Sequence, residues 1–352
     1  MKRVSKFELI RIIAMYLIVL HHAINHGVFE VAMVNRIQNP VNTIMATILE
    51  GGGKIGVYLF VLITGYFMAT SKISLKKVLR TWLPVFFWSL ALYLGFQLEV
   101  LHDFSFMGIL KATLPITTNQ YWFVTVYFFM YLSVPLLNTV INSIETKRQK
   151  LYFIILGFVV VMSQSGSLFG QTGLVGSQLL AFYFVYCVGG LIRKNCLLEN
   201  EQLTKKIKVV GVLIYLCGIS ISTGLIIIGA KLNNRSFFSW ADKFAVDPAL
   251  LFVVVNAISL FIWLGSSKIR YHYWINRTAK TTFGVYLISD NSFVRNWLWN
   301  QVFNMGKLIS TSTFYLIIYV LTSSLIVFVV CSLLEAMRQS IFKWKVKFLL
   351  GR

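Results

Sequence analysis

Three ionisable residues in the first apolar segment are the strongest candidates for chemistry in this sequence. Glu8, Arg11 and His22 lie within residues 7–27, a mostly apolar stretch typical of a helix that crosses a membrane. Because an α-helix turns about 100° per residue, Arg11 and His22 share a face about 16 Å apart along the axis, and Glu8 lies on nearly the same face. Charges inside a membrane segment are costly and usually occupy functional cavities.

The side-chain types on this face suit proton transfer combined with anion binding. A neutral imidazole at His22 can act as a general base toward a hydroxyl group, because its pKa lies near working pH. Arg11 could hold an anionic group through two N–H donors, and Glu8 could orient it. The structural alternative is that Glu8 and Arg11 pair at the cytoplasmic interface while His22 caps a solvated helix end. His26 follows His22 by four residues, but no third ligand is apparent in the sequence, so we expect no metal site.

The composition excludes an ordinary soluble domain. The sequence is 57% hydrophobic, 15% aromatic and 13% charged, whereas soluble domains carry about 25% charged residues. Repeated apolar runs of about 20 residues predict an all-α, polytopic integral membrane bundle of about ten helices. We expect a single domain over residues 1–352, without an appended soluble domain. The predicted spans are residues 7–27, 44–69, 81–101, 121–141, 151–165, 177–192, 208–229, 249–266, 281–300 and 313–337.

The distribution of basic residues predicts the orientation of these spans. With the N-terminus inside, 24 of the 33 lysines and arginines lie in cytoplasmic segments, 6 lie outside and 3 lie within spans. This bias places both termini in the cytoplasm. It also explains the net charge of +21 by topology and attraction to the headgroups of the lipid bilayer, so we expect no nucleic-acid partner.

Basic and aromatic residues at two span ends suggest where substrates bind. Lys76, Lys77 and Arg80, at the inner end of the third span, suit a phosphate-bearing cytosolic donor, although cations are also ordinary at this position. Tyr121 and Trp122, at the start of the fourth span, could stack on a sugar ring of an acceptor or simply belong to an interfacial aromatic belt.

The ninth span holds a candidate intramembrane polar site of Ser289, Asp290 and Arg295. Asp290 and Arg295 are five residues apart, which is a poor spacing for a direct pair on one helix. We therefore expect each side chain to face the interior of the bundle separately. In the second span, Gly56 and Gly65 are expected to permit close packing of helices.

Five of these segments, in this order, resemble motifs of the membrane acyltransferase-3 family, bacterial enzymes that O-acylate cell-surface carbohydrates. The first is the pattern of an acidic residue, an arginine and, after ten further residues, a histidine. The late motif departs from the family at one position, since Ser289 stands where many members have histidine. The motifs are Glu8, Arg11 and His22; Gly56–Tyr66 with Thr64 in place of serine; Arg80 and Pro84; Trp122 and Phe123; and Thr282–Ser289.

The resemblance implies an O-acyltransferase, most simply an O-acetyltransferase, of the bacterial plasma membrane. Its donor would be cytoplasmic acetyl-CoA or another acyl-CoA, used as a substrate, and no tightly bound cofactor is expected. Its acceptor would be a hydroxyl of a cell-surface or lipid-linked polysaccharide. His22, Arg11 and Glu8 would be the catalytic residues. We favour His22 as a general base, and the alternative of an acylated His22 stays open. The sequence leaves the acceptor sugar and the oligomeric state open.

The main alternative function is a transporter or flippase of a lipid-linked glycan, without acyl transfer. Intramembrane charges and glycines at helix contacts suit that class as well. An inverted internal repeat would support it, but the polar face of the first helix has no counterpart in the second half of the sequence. A membrane scaffold or sensor is a third reading, which the order of the motifs disfavours.

Overall fold

The fold is built from helices throughout the part that can be described. The computed structural model describes residues 4–71, 75–97, 105–118, 120–164, 178–246 and 251–349, and these ranges contain helices and no strand. The predicted all-α class is confirmed. In chain order the α-helices are α1 Ser5–Ala23, α2 Met33–Gln38, α3 Pro40–Glu50, α4 Gly52–Met68, α5 Leu75–Phe96, α6 Phe106–Thr113, α7 Trp122–Leu132, α8 Val134–Ser143, α9 Lys147–Gln164, α10 Gln178–Lys194, α11 Glu201–Leu232, α12 Arg235–Val246, α13 Leu251–Gly265, α14 Tyr273–Thr278, α15 Thr282–Ser289, α16 Ser292–Asn296 and α17 Thr313–Leu349.

Four helical stretches among the described residues are long and apolar enough to cross a membrane. They are Ser5–Val28, Pro40–Met68, Glu201–Leu232 and Thr313–Phe342. A fifth arises if α7 and α8, which meet at an angle of 61°, form one span. Pro135 lies in the first turn of α8, where its missing N–H favours such a break. The chain is therefore a membrane protein, while ten spans and cytoplasmic termini stay predictions.

The ninth predicted span, residues 281–300, is wrong as a continuous helix. The helix α15 ends at Ser289, and α16 begins at Ser292. The break has a local cause, because the Asn291 side chain accepts a hydrogen bond from the backbone N–H of Phe293 and so caps the new helix. A π-helical turn, Trp297–Val302, then follows α16.

The helix α4 lies at the centre of the bundle and packs against α1, α10 and α13. A Cβ atom on Gly56 would collide with the carbonyl oxygen of Ala14 in α1. A Cβ atom on Gly65 would collide with the carbonyl oxygen of Tyr186 in α10. Small residues allow helix backbones in membranes to approach this closely. The predicted role of both glycines in close packing is confirmed, and α1 is thereby held against the centre of the fold.

Replacing Gly65 with valine is expected to lower the melting temperature of the purified protein in detergent. The added side chain meets backbone of α10, which cannot move aside, and such overpacking costs about 1–3 kcal/mol. Gly224→Val in α11 is the matched control, because a Cβ atom there has nothing within 4 Å. Equal melting temperatures for the two variants would contradict the packing role of Gly65.

Candidate active site

Two of the three polar residues predicted on α1 form a pair near its N-terminal end. The Nη1 atom of Arg11 donates to Oε1 of Glu8 over 2.6 Å. The Glu8 side chain is only 5% exposed, whereas that of Arg11 is 29% exposed. The structure thus shows the Glu8–Arg11 pair that both the orienting role and the structural alternative require, and the role of Arg11 in binding an anion stays a prediction. The guanidinium keeps an accessible side that an anionic group could contact.

His22 lies at the other end of α1 and faces the break after α15. The imidazole is buried, and its Nε2 atom lies 3.6 Å from Oδ1 of Asp290. This distance is slightly longer than a hydrogen bond, and catalytic hydrogen bonds are often long before substrate binds. The Nδ1 atom of His22 is buried and has no hydrogen-bond partner. A carboxylate at Nε2 would hold the proton there and leave the lone pair of Nδ1 free.

Asp290 also contacts Arg295, contrary to the prediction that the two side chains face the interior separately. The Nη1 atom of Arg295 lies 3.5 Å from Oδ1 of Asp290. The spacing of five residues is poor only on a continuous helix, and here the break between α15 and α16 brings the two side chains together. One carboxylate therefore faces both an imidazole and a guanidinium.

Tyr121, which directly precedes α7, stabilises the break between α15 and α16. Its hydroxyl donates to the carbonyl oxygen of Leu287 over 2.9 Å and accepts from Nδ2 of Asn291 over 2.7 Å. The Tyr121 side chain is 1% exposed and packs beside Tyr286. The prediction that Tyr121 stacks on a sugar therefore does not fit this structure, because neither face of the ring is open. Tyr121 is buried because its hydroxyl is hydrogen-bonded to Leu287 in α15 and to Asn291 in the break.

The remaining residues predicted for substrate contact lie in different surroundings. Trp122 is partly exposed at the start of α7, with the Nζ atom of Lys54 4.2 Å from its ring centre. Ser289 is fully buried, and its hydroxyl donates to the carbonyl oxygen of Val285 within the same helix. The side chains of Lys76, Lys77 and Arg80 on α5 lie outside the residues whose side chains the structure describes.

Several further polar residues, to which the sequence assigned no role in the site, lie around His22. His21 Nδ1 lies 3.3 Å from Oε1 of Glu50 at the end of α3, and both side chains are buried. The ring of Tyr286 lies 6.3 Å from that of His22, and the ring of His26 lies 5.7 Å from it. A carboxylate such as Glu50 inside an apolar span was the available signal. In the described part of the chain, no group of three or more His, Cys, Asp and Glu side chains is arranged to hold a metal ion.

An open basin lies at the end of the bundle where α1 and α16 finish, with a volume of about 650 Å³. The Nδ2 atom of Asn300 donates to the carbonyl oxygen of His26 over 3.0 Å and to Oδ1 of Asn296 over 2.7 Å. Amide side chains offer both donors and acceptors, as sugar hydroxyls require. The lining residues are mainly polar: Glu30, Val31, Asn35, Asn296, Asn300, Asn304, Gly306, Lys307 and Ser310.

Comparison with known families identifies the class of this protein. A family model described as an acyltransferase domain matches residues 4–335, essentially the whole chain. With its membrane-spanning helices, the protein is a membrane acyltransferase. The chain belongs to the acyltransferase-3 family, which confirms the resemblance of its sequence motifs. No curated protein and no solved structure matches the chain.

Replacing Tyr121 with phenylalanine is expected to destabilise the break that positions Asp290. The change removes one hydroxyl and leaves two buried groups, the Leu287 carbonyl and the Asn291 amide, without that partner, at a cost of about 1–3 kcal/mol each. The measurement is the melting temperature in detergent. Tyr315→Phe is the control, because Tyr315 is 50% exposed. A wild-type melting temperature for Tyr121→Phe would show that the hydroxyl does not support the break.

Proposed function

We propose that this membrane acyltransferase moves an acyl group, most simply acetyl, from cytoplasmic acyl-CoA to a hydroxyl of a cell-surface or lipid-linked polysaccharide. The observation that carries the proposal is the buried pair of His22 and Asp290, at 3.6 Å. A carboxylate-supported imidazole is an arrangement used for general-base catalysis. The motif order and the family support acyl transfer, and the bacterial plasma membrane is the proposed location.

In the proposed reaction, His22 acts through its unpartnered Nδ1 atom. Nδ1 takes the proton of the acceptor hydroxyl as the oxygen attacks the thioester carbonyl. The tetrahedral intermediate then collapses, the carbon–sulfur bond breaks, and the proton on His22 passes to the departing CoA thiolate. The products are the ester and CoA with a free thiol. Asp290 acts as a positioning residue, because it stabilises the imidazolium formed in the first step.

The donor is proposed to bind on the side of Arg11, whose guanidinium keeps an accessible side next to the buried Glu8. Arginine suits the phosphate groups of CoA because its planar fork donates two parallel hydrogen bonds. The acceptor is proposed to approach from the amide-lined basin, since Asn300 contacts the backbone of His26 directly. Trp122 stays a candidate for a further acceptor contact.

A transporter or flippase of a lipid-linked glycan is the competing function. Buried ionisable groups are found in transporters as well as in membrane enzymes. Release of label from acetyl-CoA by purified membranes separates the two, because a transporter has no need to cleave the thioester. Loss of acetyl groups from the surface glycan on deletion of the gene, measured by mass, would define the acceptor.

His22→Ala is expected to reduce transfer of labelled acetyl to envelope material by about 10²–10⁴-fold, the usual contribution of a general base. Asp290→Asn keeps the size of the side chain and removes its charge, so a smaller loss is expected. Ile18→Ala is the control, because Ile18 is a buried residue one turn earlier on the same helix. Full activity of a folded His22→Ala protein would refute the assignment.

Arg11→Ala is expected to raise the KM for acetyl-CoA by about tenfold, the value of one lost charge-assisted hydrogen bond, with a smaller effect on kcat. The measurement is initial rates against acetyl-CoA concentration in membranes that contain equal amounts of protein. Lys206→Ala on α11 controls for the loss of an exposed positive charge. A KM unchanged from wild type would rule out a donor-side role for Arg11.

A further inference from the structure

A second polar cavity lies at the end of the bundle where α1 begins. Its volume is about 330 Å³, and it is formed by α14, the residues that flank it, and one face of α17. Arg277, Lys280, Tyr271 and Tyr273 line it, and its lining contains no acidic side chain. We refer to this cavity, defined by these four residues, as the cationic pocket.

Neighbouring groups hold the side chain of Arg277 and the backbone of Lys280 in the cationic pocket. The Nη1 atom of Arg277 donates to the Tyr273 hydroxyl over 3.2 Å, and its guanidinium lies 5.6 Å from the ring centre of Trp274. The Nε2 atom of Gln339 donates to the carbonyl oxygen of Lys280 over 3.0 Å. Both tyrosines are largely exposed, at 68% for Tyr271 and 54% for Tyr273. Two cations beside accessible aromatic rings suit a ligand with phosphates and a planar base.

The acidic residue of α17 does not neutralise the cationic pocket, because it is already paired. Glu335 is 3% exposed and accepts two hydrogen bonds from Arg338, at 2.6 and 2.8 Å. It also accepts from Nε1 of Trp88 over 2.7 Å. The positive charge of Arg277 and Lys280 is therefore available to a ligand.

The cationic pocket is attached to both helices that carry the proposed active site. The Nδ2 atom of Asn276 donates to Oγ of Ser5 over 2.9 Å, so α14 is fixed to the first residue of α1. Glu8 and Arg11 follow within the next two turns. On the other side, Thr281 lines the pocket, and α15 leads from there to Asp290 over about 14 Å. A ligand in the pocket would lie at the Arg11 end, one helix length from His22.

We propose that the cationic pocket binds the phosphate groups of the acyl-CoA donor, with a tyrosine ring against its adenine; this inference rests on the proposed function. CoA carries a diphosphate and a 3′-phosphate at one end and its thioester at the end of a long, linear arm. Arg277 and Lys280 contact the phosphates, and the arm runs along α1 and α15 toward His22. The same pocket chemistry would also suit the phosphate of an anionic lipid.

The test compares acetyl-CoA with acetyl-3′-dephospho-CoA as donors for the protein in proteoliposomes. Wild type is expected to show a KM about tenfold lower for acetyl-CoA, the value of one charge-assisted contact. The double variant Arg277→Gln/Lys280→Gln is expected to raise the KM for acetyl-CoA at least as much, lose the discrimination and keep its kcat. Lys268→Gln/Arg270→Gln, which removes two cations of the preceding segment, is the control and should behave as wild type.

A second arm separates a donor site from a lipid site. The assay is repeated in vesicles of phosphatidylcholine alone and in vesicles that contain phosphatidylglycerol. If the cationic pocket holds a lipid, activity depends on phosphatidylglycerol in wild type only, and the double variant still discriminates between the two donors. That result would overturn the proposal.

Direct binding separates failure of this inference from failure of the proposed function. The dissociation constants of CoA and 3′-dephospho-CoA are measured by calorimetry on the detergent-solubilised protein. Binding that weakens in the double variant supports the pocket even if wild type transfers no acetyl, in which case only the proposed function fails. Equal binding of CoA by wild type and the double variant would refute the pocket, whatever the activity.

Discussion

The active site depends on how one buried carboxylate is accommodated within membrane helices. Asp290 is 4% exposed, and a charge in such surroundings is costly unless other polar groups face it. The break between α15 and α16 supplies such groups, because it allows Arg295 and His22 to approach the same atom, Oδ1 of Asp290. Tyr121 stabilises the break from α7 through two hydrogen bonds. The position of the proposed base is therefore set by the local backbone around its partner, and not by α1 alone.

The helix α1 sets the distance between Arg11 and His22. Its backbone lies directly against α4, where Gly56 leaves no room for a side chain. A helix held in this way keeps Arg11 and His22 about 16 Å apart. A π-helical turn, Ile24–Val28, follows immediately and carries His26. Such turns are frequent at functional sites because they redirect side chains without ending the helix. The proposed donor contact at Arg11 and the proposed base at His22 are thus separate positions on one helix, and in the proposed reaction the acyl group must reach from one to the other.

Local features of the site could be predicted from the sequence, and features that join distant segments could not. The pair of Glu8 and Arg11 follows from a spacing of three residues on one helix. The close packing of α4 follows from its small residues. The contact of His22 with Asp290 joins the first helix to the residue that follows the fifteenth, and no spacing indicates it. The continuous span 281–300 was the natural prediction, because the apolar pattern runs through the break. The break itself depends on Asn291 and on Tyr121 from another helix. An aromatic residue at the start of a span is typical of an interfacial belt, so the sequence does not predict the buried position of Tyr121.

The distribution of space in the bundle favours transfer of a small group over transport of a whole glycan. Two large open volumes, about 330 Å³ and about 650 Å³, lie at the two ends of α1. Between them the ionisable groups are tightly enclosed, with exposures of 6% for His22, 3% for Glu50 and 4% for Asp290. A transporter must pass its entire substrate through this middle region, which would require the paired charges to separate. An acyl-CoA and a carbohydrate can instead keep their bulk at opposite ends, so that only the thin arm of the donor and one hydroxyl of the acceptor need to enter. The imidazole of His22 lies toward the end proposed for the acceptor, which is where the proposed reaction removes a proton.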